Sequence, residues 1–267
     1  MRKDFELKEH YKIEDLLKIM QILRGNDGCP WDREQDHDTI RKNMIEETYE
    51  VVEAIDRKDS TMLCEELGDV LLQVVFHTQM EDEKGGFNFD DVCDGVCQKL
   101  IIRHPHIFGN VIAKTSEQVL NNWDEIKKKE KGQKTVNDTL RSVPSVLPAL
   151  MRADKVQHRA AKTGFDYDSA SGAMVDLMNE VAELDEAMNE ENLVHQQEEL
   201  GDVLFSAVNV ARLLHIDPEE ALTRSTEKFM DRFEQVERIA AQRGMDMTAT
   251  PMEELNALWA EAKGNTI

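Results

Sequence analysis

The chain has 267 residues, of which 40% are apolar, 6% aromatic and 32% charged, with a formal charge of −22. That length and apolar share allow two domains with sizeable cores, while the acidic excess argues against a broad nucleic-acid or anionic-membrane surface, since both need basic patches. A phosphorylated small molecule stays open, because a bound cation and a few Lys or Arg can reverse the field at one site.

Pro and Gly are sparse, and long segments are rich in Ala, Leu, Glu, Lys, Gln and Met, which favours helix. No alternating β-branched run is long enough for a sheet, so the expected fold is all-α. In chain order, helical periodicity starts near Ile13 and runs through Leu16, Leu17, Met20 and Leu23. Gly25 to Asp32 breaks it, with Gly28 and Pro30 inside. The next helix spans about 39–57, with Asp38 as expected N-cap. Another starts after Asp59-Ser60 and runs to Glu83, where Gly85-Gly86 ends it. Further helices are expected from Phe89 to Arg103, stopping at Pro105, and from Ser116 to Lys131. Residues 127–148 read as a linker. A new series begins near Leu147, breaks at Gly164, and continues over 172–189, 193–215, 218–243 and 251–263, with Pro218 and Pro251 in first turns.

The two halves repeat one pattern. Glu47 and Glu50 sit three apart, as do Glu66 and Asp69; Glu180 and Glu183 are likewise followed by Glu199 and Asp202, and both gaps, Glu47 to Glu66 and Glu180 to Glu199, are 19 residues. Glu66-Leu67-Gly68-Asp69-Val70-Leu71 matches Glu199-Leu200-Gly201-Asp202-Val203-Leu204. Lys99/Arg103 and Lys228/Arg232 follow, each pair four apart, and Trp123 and Trp259 come after them. Cys29-Pro30-Trp31-Asp32 corresponds loosely to Gly164-Phe165-Asp166. The order points to a tandem duplication with units of about 120 residues, here 1–126 and 149–267 about the linker.

Carboxylates three apart share a helix face, and helices joined by a short connection pack antiparallel. Each quartet should therefore converge beside an apolar face, expected in the first unit to carry Val51, Ala54, Leu67, Val70 and Leu71. Crowded carboxylates near a core are costly, and a divalent cation removes that cost. With Asp in the fourth position and no His in either pair, the donor set is all oxygen, which suits Mg²⁺ or Mn²⁺ rather than zinc or iron. Mg²⁺ keeps waters and binds substrate phosphates, so phosphate-ester or phosphoanhydride chemistry follows. Lys99/Arg103 and Lys228/Arg232 are candidate phosphate clamps; Trp123 and Trp259 either pack or stack on a base.

Other features read as structural. Cys93 and Cys97 are expected to line a core, His104 and His106 to form a turn around Pro105, and His77 to pack locally, since Val210 stands at its place in the second half. No P-loop, nucleophile elbow or dinucleotide fingerprint is present. Without a secretory apolar segment, a CxxC spacing or a long apolar run, the protein reads as cytoplasmic with reduced thiols.

The motifs Glu46-Glu47-Thr48-Tyr49-Glu50, Glu66-Leu67-Gly68-Asp69 and Gly28-Cys29-Pro30-Trp31-Asp32, with Glu180-Val181-Ala182-Glu183 and Glu199-Leu200-Gly201-Asp202, resemble the MazG family of nucleoside triphosphate pyrophosphohydrolases over nearly the whole chain. The resemblance implies tandem four-helix-bundle-like units that dimerise, and Mg²⁺-dependent hydrolysis of nucleoside triphosphates to monophosphate and pyrophosphate with broad base tolerance. It assigns metal binding to Glu180, Glu183, Glu199 and Asp202 and nucleotide contact to Lys228, Arg232 and Trp259. Glu47, Glu50, Glu66, Asp69, Lys99, Arg103 and Trp123 are the equivalent first-half set. The second unit is ranked as the active one, although Asn179 stands where the first half has Glu46. Competing readings are a base-selective dUTP or dCTP pyrophosphatase and a non-catalytic acidic scaffold with vestigial metal sites. A homodimer is expected, because two helices per unit leave the site short of walls. Nucleic-acid and membrane partners are not expected.

Overall fold

The computed structural model describes residues 5–264; among them thirteen helices and no strand occur. The chain divides into two compact units, 1–127 and 128–267.

In the first unit, α1 (Ile13–Arg24) and the short α2 (Pro30–Glu34) precede a hairpin of α3 (Arg41–Arg57) and α4 (Ser60–Asp82). Only Lys58 and Asp59 join the hairpin. Lys58 takes a left-handed conformation, φ 54°, and Asp59 caps α4 by accepting from the Thr61 and Met62 amides. That two-residue reversal leaves α3 and α4 no choice but to lie antiparallel. The core joins α1 to α4 through Met20, Ile40, Val75, Phe76 and Met80, with Leu16, Leu17 and Leu72 packed against it. Arg24 fastens the intervening loop. Its guanidinium donates to both Glu83 carboxylate oxygens at 2.8 Å and to the Asp32 and Gln35 carbonyls. Then follow α5 (Phe89–Arg103), α6 (Pro105–Phe108) and α7 (Ser116–Glu130).

The second unit opens with α8 (Val136–Arg141) and α9 (Ala149–Ala161), then a second hairpin of α10 (Ala170–Ala187) and α11 (Leu193–Leu213), followed by α12 (Pro218–Gln242) and α13 (Met252–Gly264). Asn192 caps α11, and Gln196 Nε2 donates to the Ala187 and Glu190 carbonyls, closing the hairpin turn. Val236, Ala240, Leu258 and Ala262 form the core between α12 and α13.

Several local expectations change. The stretch 127–148 is not a bare linker: α8 lies within it, capped by Thr135, and Arg159 on α9 donates to Thr139 O and Ser142 Oγ. Asp38 does not cap α3, which starts at Arg41; Asp36 instead accepts from the Asp38 and Thr39 amides and shapes the turn ahead of it. Cys93 and Cys97 are exposed, because α5 touches the rest of its unit along so little of its length that none of its residues is buried. Ala54 is buried as expected, whereas Leu67 and Leu71 face solvent on the side of α4 away from α1.

Candidate metal and nucleotide site

Each hairpin gathers acids between its two helices. Oxygens of Glu47 on α3 and of Glu66 and Asp69 on α4 all lie within 4.8 Å of one another, and so do those of Glu180 on α10 and of Glu199 and Asp202 on α11. The fourth member lies outside the close group in both units. Glu50 is exposed, and its charge acts on both Glu47 and Glu66. Glu183 is exposed and stands outside the close triad, though its charge acts on Glu180.

The electrostatics follow from this crowding. Burial, then the charges of Asp69 and Glu50, hold the Glu47 carboxyl above the usual range. Burial and Glu50 do the same to Glu66. Glu180 is raised by burial and then by Glu183, Asp202, Asp176 and Glu199. Mutual repulsion with no cationic side chain among these causes is the state that a divalent ion relieves. The donors are all carboxylate oxygen, the set that hard cations such as Mg²⁺ take, so the residues present fit such an ion.

The basic and aromatic residues form the second part of the arrangement. In the first unit Arg103 lies over the Trp123 ring at 5.3 Å, and His104 meets that ring edge-on at 5.0 Å. In the second unit Trp259 packs against Phe229 at 5.1 Å, and Phe229 stacks on Phe233 at 5.9 Å. Phe229 follows Lys228 directly and lies one turn before Arg232, so α13 delivers its tryptophan to the Lys-x-x-x-Arg helix, as α7 does to α5. Lys99 and Lys228 are exposed. Arg232 is half-buried, and its Nε is buried with no hydrogen-bond partner among the described residues.

Some groups near the acids escaped the sequence reading. His195 bridges Glu190 and Glu199, with Nδ1 2.8 Å from one carboxylate and Nε2 3.1 Å from the other. The bond to Glu190 chiefly raises its pKa. Asp176, one turn before Glu180, presses on that residue and bonds Tyr167. The i,i+4 spacings of His195 with Glu199 and of Asp176 with Glu180 were the available signals. His104 sits in the turn between α5 and α6, as expected, with its Nδ1 2.6 Å from the Leu100 carbonyl, and its ring also lies against Trp123.

Comparison with known proteins agrees with this geometry. The family model of the MazG nucleotide pyrophosphohydrolase domain matches residues 35–108 and again 169–237, so each match contains one acidic hairpin. The nucleoside triphosphate pyrophosphohydrolase of Escherichia coli K12 is 46% identical over 262 residues, covering 96% of this chain and 98% of the relative. The nucleoside triphosphate pyrophosphohydrolase/pyrophosphatase MazG of Thermotoga maritima is 42% identical, covering 94% and 96%. A nucleoside triphosphate pyrophosphohydrolase of Mycolicibacterium smegmatis is 37% identical over 155 residues, covering 57% of this chain and 47% of its own. With the domain matched twice and near-full-length relatives on both sides of the repeat, the chain belongs to the MazG nucleotide pyrophosphohydrolase family.

Proposed function

We propose that this chain hydrolyses nucleoside triphosphates to the monophosphate and pyrophosphate, with Mg²⁺ as cofactor and broad base tolerance, as a cytoplasmic homodimer that clears unwanted nucleotides. The observation that carries the reading is the pairing, in each unit, of a carboxylate triad with a tryptophan set on a Lys-x-x-x-Arg helix. Four cysteines without a disulfide are in keeping with a reducing compartment. Exposed apolar side chains along α10 and α12, among them Met174, Met178, Leu222 and Met230, favour a second copy as their cover.

In the C-terminal unit, Glu180, Glu199 and Asp202 would hold the cation and Glu183 would complete the set. When bound, Mg²⁺ would supply positive charge to the phosphates and a water of lowered pKa. Lys228 and Arg232 take phosphate oxygens, and they stabilise the charge that develops as the bond to pyrophosphate breaks. A neighbouring carboxylate receives the proton of the water that bonds to the α-phosphorus. Phe229 and Trp259 offer an aromatic surface that any base can stack on, which accounts for base tolerance. The second unit ranks first because Arg103 of the first unit already lies on Trp123.

Product analysis tests the scheme. Nucleoside monophosphate and pyrophosphate are expected from each nucleotide of a broad panel; diphosphate and orthophosphate would overturn it. Separate Glu50→Gln and Glu183→Gln variants identify the working unit, with activity expected to fall in the second.

A further inference from the structure

His37, in the turn before α3, and His77, on α4, bring their Nδ1 atoms to 2.7 Å. Their ring planes differ by 6° and their centroids lie 5.1 Å apart. That separation is little more than the contact plus two ring radii, so the rings meet head-on in one plane. His37 Nε2 lies 2.6 Å from Glu81 Oε1, an oxygen that also receives Lys84 Nζ at 3.2 Å. Glu81 is an acceptor, so His37 carries a proton on Nε2, and the gap between the two Nδ1 atoms holds one proton. A metal ion fits this geometry poorly: zinc at about 2.0–2.1 Å from each nitrogen sets tetrahedral ligands about 3.3 Å apart and out of line.

We propose that Glu81, His37 and His77 form a one-proton latch that holds the turn before α3 on α4 at neutral pH and releases it in acid, in the N-terminal unit and not in its repeat. With one proton between the rings, either histidine donates to the other. With both imidazoles fully protonated, two N–H groups and two positive charges face each other at hydrogen-bond distance, and the contact breaks. The other charges acting here are Asp36 beside His37, Lys84 on Glu81, and the Arg24–Glu83 clasp of the same loop. Burial and then the charge of His37 hold His77 below its ordinary pKa. A base with a depressed folded pKa contributes stability that is present above its unfolded value and lost as pH falls through the folded one. The released segment leads into Ile40 of the core and then into α3, which carries Glu47 and Glu50.

The repeat has an internal control. Val210 stands where α4 has His77, and the matching loop is fastened by Arg212 of α11, which donates to both oxygens of Asp166. A guanidinium does not titrate in this range, and the Arg212 hydrogen bonds hold Asp166 below its usual value.

Hydrogen–deuterium exchange of the full-length protein at pH 7.5 and 5.5, corrected for intrinsic rates, tests the latch. Protection of a peptide spanning 33–44 is expected to fall about tenfold more than that of 163–173, the change that one unit of differential protonation produces. His77→Asn and His37→Asn each keep an amide near the lost ring nitrogen but cannot titrate, so protection over 33–44 is expected to lose its pH dependence in both. Far-UV circular dichroism identifies a variant that has lost its fold, and the other then gives the comparison. An equal loss in both peptides, no loss in the native protein, or pH dependence that persists in a folded variant would each overturn the proposal.

Discussion

Replacing Glu180 by Gln keeps the side chain's size and removes its charge, which separates repulsion from packing. Oxygens of Glu180, Glu199 and Asp202 lie within 4.8 Å of one another, a distance at which two unit charges repel by about 0.9 kcal/mol at water's dielectric constant. Physiological salt roughly halves this. Glu180 faces two such neighbours, so the substitution is expected to stabilise the metal-free protein by about 1 kcal/mol, or about 3 °C in Tm for a unit of this size. The gain in Mg²⁺ moves the other way. Magnesium at a hundredfold its Kd stabilises a binding site by about 2.7 kcal/mol, and that share of the rise is lost with the ligand. Differential scanning calorimetry of both proteins in EDTA and in saturating Mg²⁺ reads both effects, with the N-terminal cluster unchanged as a common background. A lower Tm in EDTA together with an undiminished magnesium response would refute the reading of this triad as a cation site.

Three further outcomes are expected. Met80→Ala, at a side chain almost wholly buried between α1 and α4, should cost about 3 kcal/mol in urea unfolding, the usual range for such a cavity. Arg212→Met should cost about 2 kcal/mol, since the guanidinium is buried while Asp166 keeps some solvent. The wild-type contribution belongs to a carboxyl with a depressed pKa, so it is present above the ordinary Asp range and lost as pH falls through the folded value; the variant should show a flatter acid limb. Phe229→Ala removes part of an exposed aromatic surface beside Lys228 and should raise KM for nucleoside triphosphates about tenfold, within the range of base stacking, while leaving hydrolysis of inorganic tripolyphosphate little changed. Steady-state kinetics on both substrates check it.

Much of the molecule was legible in the linear pattern. Helical periodicity and the Gly and Pro breaks located the main helices, because amphipathic spacing and backbone restriction are local properties. The repeat of ExxE and ELGD at equal spacing put each set of acids on one hairpin, since a period of 3.6 residues and a short reversal leave few other arrangements. What the pattern could not say is which face of each helix meets another. Leu67, Leu71, Cys93 and Cys97 have the hydropathy of core residues and lie exposed, because burial depends on neighbours that periodicity does not name. The residues 127–148 look like a linker by charge and proline, yet Arg159, distant in sequence, ties α8 down.

The functional details divide along the same line. Residue types alone determined that the clustered donors are carboxylate oxygens and that the cluster occurs twice, since ligand chemistry travels with the side chain. Tertiary structure decided that three acids of each quartet converge tightly, that Arg103 covers Trp123 while Trp259 meets Phe229, and that His77 is matched with a histidine forty residues earlier in the chain. Those distinctions arise from contacts between segments remote in sequence. They make two units with nearly the same motifs electrostatically different.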